Sequence, residues 1–181
     1  MDLATATAAD MQALGDVILE NYGGLHGLLH NAAILGERVP VEHYDMNTWL
    51  KVMQVNFTAT CLLTRILMPL LRLKDSARLV FTSSSVGVTP RACWGAYAVS
   101  KYALEGFARL LMDELENTSD IEVCIVNPGA TRTQMRAEAY PNEDPETLKV
   151  ADDLAPLYLH MMDPASGDVH GKTFDQNWPN T

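Results

Sequence analysis

The chain has 181 residues, 48% apolar and 20% charged, and its 13 lysines and arginines face 23 aspartates and glutamates for a net charge of −10. That length and composition predict one globular domain, over residues 1–181, able to bury roughly 70% of its unfolded surface. The acidic balance argues against nucleic acid and anionic membrane as main partners, since both select cationic surfaces, and no run of 18 apolar residues offers a membrane span.

Residues Ala9–Tyr22 place Met11, Leu14, Val17 and Ile18 at helical spacing before Gly23-Gly24, which predicts a helix with a glycine stop. Leu25–His30 reads as a short strand followed by Asn31-Ala32-Ala33, and Gly36–His43 as a loop. Asp45–Leu73 reads as one long helix, capped by Asp45 or Asn47, with Pro69 near its end. Its apolar residues exceed a single stripe, so it is expected to bury more than one side, against a sheet and against a second subunit. Ala77–Thr82 is an apolar strand ending in Ser83-Ser84-Ser85; Gly87–Gly95 is loop, and Ala96–Asn117 is a second broadly apolar helix. Ile121–Val126 is a buried strand stopping at Asn127-Pro128-Gly129. Ala130–Val150 is polar with a short helix, Ala151–Met162 is helical, and Lys172–Asp175 is a last short strand. Apolar strands separated by long helices specify an α/β fold, a three-layer, doubly wound parallel sheet. Ligands bind such sheets beyond the carboxyl ends of the strands, which here carry Asn31, Ser83–Ser85 and Asn127-Pro128-Gly129.

Tyr97 and Lys101, in Tyr97-Ala98-Val99-Ser100-Lys101, lie four apart and project from one helix face. An ammonium beside a phenol favours phenolate, so the Tyr97 pKa is expected below its ordinary value of about 10, where the phenol is a usable acid or base. Ser84 stands thirteen residues before Tyr97 and can polarise a substrate carbonyl beside the phenol. Each element has a plain structural alternative: Y-x-x-x-K arises by chance, a serine-rich strand end or Asn-Pro-Gly is a turn, and Asn56 in mid-helix is a core amide. Their order along the chain, mostly at strand ends, favours a site.

With these motifs the sequence resembles the short-chain dehydrogenase/reductase family. Asn31-Ala32-Ala33 resembles its N-A-G, Asn56 its helix asparagine, Ser84 its serine, Tyr97 and Lys101 its Y-x-x-x-K, and Asn127–Thr133 its P-G-x-x-x-T stretch. The segments VFTSSSVG, WGAYAVSK and NPGATRT resemble an uncharacterised bacterial oxidoreductase branch of that family. The resemblance implies a Rossmann-like fold and an NADP- or NAD-dependent oxidoreductase acting on a small carbonyl or alcohol substrate. It implies catalytic roles for Ser84, Tyr97, Lys101 and Asn56, the last supporting a water that links Lys101 to solvent. It implies cofactor contacts at Asn31, Ala32, Tyr97, Lys101, Pro128, Gly129, Thr131 and Thr133, and a homodimer or homotetramer packed through the two long helices.

The family's opening strand and T-G-x-x-x-G-x-G turn have no counterpart in the sequence, and Asp2-Leu3 resembles the end of its third strand. The chain therefore reads as N-terminally truncated by two strand–helix units, on the order of 60 residues. Leu25–His30 is then expected at a sheet edge. The contrasting expectation is a cofactor-free fragment or interaction module without enzymatic activity.

Met1-Asp2-Leu3 has no secretion-signal pattern, and Cys61, Cys93 and Cys124, never in C-x-x-C, read as reduced thiols of a cytoplasmic protein, with Cys61 and Cys124 in the core. His26 and His30 on one strand stand about 13 Å apart, too far for a metal pair, and no metal is expected. His43, His160 and His170 read as surface residues. Cys93 and Trp94 either line a substrate pocket or pack their loop. Met135 and Tyr140 fall in the family's lid segment, and Glu143-Asp144-Pro145-Glu146 reads as solvated surface.

Overall fold

The computed structural model describes residues 1–179. Four parallel strands, β1 (Gly27–His30), β2 (Ala77–Thr82), β3 (Ile121–Asn127) and β4 (Thr173–Asp175), lie side by side in the order β1-β2-β3-β4. Leu29 of β1 pairs with Val80 and Val80 with Cys124, so the strands run in register. Within the described residues β1 has the single partner β2 and Leu29 is exposed, the edge expected for this segment.

Alternation along the central strands sends side chains to two cores. Leu79, Phe81, Val123 and Ile125 pack with Leu71 of α3 (Ala59–Leu71) and with Leu104, Ala108 and Leu111 of α4 (Gly95–Leu115). Val80, Cys124 and Val126 pack on the other face with Leu157 and Met161 of α6 (Ala155–Met162) and with Val169. Helices on both faces of a parallel sheet make the Rossmann-like three-layer architecture. The helix α1 (Ala8–Tyr22) packs on α3; Thr7 caps its start in a capping box with Asp10, and left-handed Gly23 ends it as expected.

The long Asp45–Leu73 helix is present, with an interruption that periodicity does not show. Asp45 caps it, accepting from Thr48 N at 2.7 Å. It then runs as α2 (Met46–Met53), a π-helical turn over Gln54–Thr58, and α3. The wider turn holds Asn56, and single π-turns of this kind accompany functional sites.

His160 and His170 are not plain surface residues. The His160 ring lies 5.8 Å from Phe174 and 4.6 Å from Trp178. His170 Nδ1 accepts from Val123 N at 3.3 Å, and its Nε2 lies 3.0 Å from Met112 O, joining β3 to α4. His30 is buried, stacked 5.1 Å from Phe81 and 2.8 Å from Thr64 Oγ1. Cys124 is buried and Cys61 half-buried rather than core; burial raises both thiols, to about 12 and about 11. Among the described residues no helix is long and apolar enough to cross a membrane, and no group of three or more His, Cys, Asp or Glu is placed to hold a metal ion.

Candidate active site

The carboxyl ends of β1, β2 and β3 open into one cavity of about 720 Å³. Asn31, Ala32, Ser84, Tyr97, Lys101, Pro128, Gly129, Thr131 and Thr133 line it. Of the residues singled out from sequence as catalytic or cofactor-binding, Asn56 alone stands outside the lining.

The N-terminal part of α4 carries Tyr97 and Lys101 against the turn that follows β2. Gly87 in that turn is needed for the close approach: a Cβ there would lie 3.0 Å from Ser83 Oγ and 3.1 Å from the Lys101 carbonyl carbon. Lys101 is 2% exposed and donates to Thr82 O at 2.7 Å. Burial pushes its ammonium down to about 8. An ammonium has three donors, so this geometry leaves capacity toward the cavity. Ser83 Oγ, also in the lining, is buried without a hydrogen-bond partner.

Burial raises the Tyr97 phenol above its ordinary value, and its contact with the Ser84 hydroxyl works against that rise. The lowering expected from Lys101 is therefore not what the structure gives. The phenol has lost solvent, and the Lys101 ammonium, 5.8 Å from the ring centre, is turned to the Thr82 carbonyl. The Tyr97 phenol accordingly keeps its proton over the neutral range.

Asn56 is 1% exposed and clamps the loop after β1: its Oδ1 accepts from Ile34 N at 2.8 Å and its Nδ2 donates to Ile34 O at 2.9 Å. The same Nδ2 donates to Ser100 Oγ at 3.1 Å, and Ser100 Oγ donates to Tyr97 O at 2.8 Å. A side chain on the π-turn thus fixes both the Asn31–Ile34 wall and the helical turn bearing Tyr97.

On the other wall, Gly129 N donates to Asn127 Oδ1 at 3.2 Å, closing the turn after β3. Thr131 bridges to Lys149, and its hydroxyl donates to Gly129 O at 3.3 Å. Thr133 caps α5 (Gln134–Ala139), accepting from Arg136 N at 3.1 Å, so its hydroxyl proton remains to be donated. Leu35, Arg91, Arg136, Asp175 and Gln176 also line the cavity and were not found from sequence, because no local motif marks them. Trp94, Met135 and Tyr140 line it too, whereas Cys93 is outside the lining, its backbone carbonyl accepting from Arg38 Nε at 3.2 Å.

The sequence pattern described as short chain dehydrogenase matches residues 1–144. The chain is 49% identical over 175 residues to the uncharacterized oxidoreductase YciK of Escherichia coli (strain K12), covering 97% of this chain and 69% of that protein. The solved structure of YciK superposes with a TM-score of 0.93 over 98% of this chain and 72% of that one, at 48% identity. A short chain dehydrogenase from Escherichia coli CFT073 complexed with NADPH gives 0.91 at 48% identity, over 98% of this chain and 73% of that one. Benzil reductase ((S)-benzoin forming) of Saccharomyces cerevisiae is 31% identical over 155 residues, covering 82% of this chain and 59% of that protein.

Proposed function

The chain belongs to the short-chain dehydrogenase family, and from that premise we propose that it is an NAD(P)-dependent oxidoreductase interconverting a carbonyl compound and its alcohol, with Tyr97 as general acid and base. The observation that carries the reading is the convergence of Tyr97, Ser84 and Lys101 on one cavity at the carboxyl end of the sheet. A relative of similar fold is complexed with NADPH, which favours the phosphorylated cofactor.

The donors present suit the nicotinamide and ribose end of such a cofactor. Unpartnered Ser83 Oγ and the spare Lys101 donors are buried polar groups facing the cavity, and they call for oxygen-rich partners. Lys101 and Tyr97 would hold the ribose hydroxyls, Asn31 and Ala32 would flank the ribose, and Pro128, Gly129, Thr131 and Thr133 would orient the carboxamide. When bound, the cofactor supplies or accepts a hydride at the substrate carbon. Ser84 donates a hydrogen bond to the reacting oxygen. In reduction Tyr97 gives that oxygen its proton, and in oxidation it takes the proton back. Asn56 keeps the Tyr97 turn in place through Ser100.

A second copy of the chain would pack on the exposed apolar side chains of the two long helical segments, among them Leu50, Val99, Tyr102 and Leu110. The three cysteines are unpaired, in keeping with a reducing cytoplasm.

Fluorescence titration with NADPH and with NADH tests the reading. Saturable binding, with turnover lost in Tyr97→Phe, is the expected result. No binding of either cofactor favours the cofactor-free alternative, and a Tyr97→Phe variant with intact kcat removes the acid–base assignment.

A further inference from the structure

Besides its polar groups and the Arg91 and Arg136 side chains, the cavity has an apolar wall. Leu35, Trp94, Met135, Ala139 and Tyr140 line this side and pack as one cluster with Tyr97. The Trp94 ring centre lies 5.8 Å from that of Tyr97 and 5.9 Å from that of Tyr140. These residues come from three separate segments: the loop after β1, the loop before α4, and α5 with its exit.

Arg38, outside the cavity lining, joins the three. Its guanidinium carbon sits 4.0 Å from the Trp94 ring centre and 5.4 Å from that of Tyr140. Its Nε donates to Cys93 O at 3.2 Å and its Nη1 to Ala139 O at 2.8 Å. Ala139 is the last residue of α5, so the second bond satisfies a carbonyl at a helix end. Cys93 has φ +64°, a left-handed conformation that a residue with a Cβ rarely adopts, and it is held where its carbonyl meets Arg38. The guanidinium carbon of Arg136, which also lines the cavity, lies 3.8 Å from the Tyr140 ring centre, and Glu143 grips that guanidinium through two bonds of 2.6 Å. Tyr140 is thus stacked with two cations, each anchored elsewhere.

We propose that the site takes an aryl ketone or aldehyde whose ring seats against Leu35, Trp94, Met135 and Tyr140, and that Arg38 is the positioning residue that fixes this wall. The proposal rests on the Tyr97 reading for the carbonyl; the ring seat rests on the wall alone. Aromatic rings gain from ring partners at centre distances of about 4.5–7 Å and from a nearby thioether. A polyol placed there would leave hydroxyls desolvated against carbon. A flexible alkyl chain would lose rotamer freedom that a rigid ring does not have.

Calorimetric titration of the full chain with acetophenone, octan-2-one, pyruvate and dihydroxyacetone tests this without any cofactor. Acetophenone is expected to bind saturably, about tenfold or more tighter than pyruvate and dihydroxyacetone, and tighter than octan-2-one. Arg38→Met is expected to weaken acetophenone about tenfold and leave pyruvate unchanged, with Arg38→Lys recovering part of the loss. Should Arg38→Met fail to fold, Tyr140→Leu carries the same expectation for acetophenone. Tyr97→Phe is expected to keep acetophenone affinity within about threefold while turnover disappears, which separates this proposal from the acid–base reading. Octan-2-one or a polar carbonyl matching acetophenone, no acetophenone binding, or undiminished acetophenone affinity in the folded Arg38 or Tyr140 variants overturns it.

Discussion

Arg78, near the start of β2, is 1% exposed, forms an ion pair with Glu122 Oε2 at 2.6 Å and donates to Pro164 O at 3.2 Å and Gly167 O at 2.6 Å. Glu122 Oε2 in turn accepts from Val169 N at 2.7 Å, tying the segment before β4 to the sheet. At the other end of the same strand, Ser83 Oγ has no partner and Lys101 spends one donor on Thr82 O. Both ends bury strong polar groups. One end pairs its charge with Glu122 and closes, with Arg78 Nε left without a hydrogen-bond partner; the other leaves Ser83 Oγ and Lys101 donors over and opens into a cavity. The difference separates a group retained for stability from a group retained for binding: breaking the first should destabilise the protein, and breaking the second should spare or even raise its stability.

Four substitutions or titrations sharpen that contrast. Tyr97→Phe should cut turnover by about 10²–10⁴-fold, the usual contribution of a positioned acid, with a melting curve close to that of the parent. Steady-state kinetics beside thermal melts would check it.

At the closed end, Arg78→Ala should cost about 3 kcal/mol in urea denaturation, because Glu122 is left facing an empty buried site. The loss should be the same with and without cofactor present. A much smaller loss would mean that water replaces the guanidinium.

His30 gives the contrast a pH dependence. Burial holds its pKa at about 4, below the ordinary 6.5, so the unfolded chain binds the extra proton first. Stability is therefore fully present above pH 6.5 and is lost as pH falls toward 4, by up to about 3 kcal/mol. His30→Gln should flatten denaturation midpoints over that window.

Lys101→Met should abolish activity yet raise the melting temperature at pH 7, by the smallest of the four effects. The folded pKa of about 8 lies below the ordinary 10.5, so the cost of burying the charge is present below pH 8 and fades as pH climbs to 10.5. The stability gain of the variant should shrink over the same range. A variant that melts lower at pH 7 would show that the bond to Thr82 O outweighs desolvation.

Much of the fold was legible in one dimension because its cause is local. Continuous apolar runs named β2 and β3, Gly23 marked the end of α1, and the start of α2 was narrowed to Asp45 or Asn47, of which Asp45 is the cap. The polar half of the cavity was legible for a related reason. Tyr97 and Lys101 share a helix face by spacing alone, and Ser84 and Asn127–Thr133 follow directly on strands whose direction in a parallel sheet is set. Periodicity did not show the π-turn at Asn56, since one extra residue in a helical turn barely alters an apolar pattern. Nor did it show the direction of the Tyr97 shift, which depends on how much solvent the phenol loses.

The sequence by itself determined the layered sheet, the order of its elements and the residues that meet at its carboxyl edge, because backbone periodicity and side-chain spacing act over a few residues. Tertiary structure alone decided that Arg38, Trp94 and Tyr140 stack into one wall, that Asn56 reaches Tyr97 through Ser100, and that Arg78 closes the opposite end on Glu122. Those contacts join residues tens of positions apart, and their strength comes from desolvation and stacking that exist only once the layers have packed.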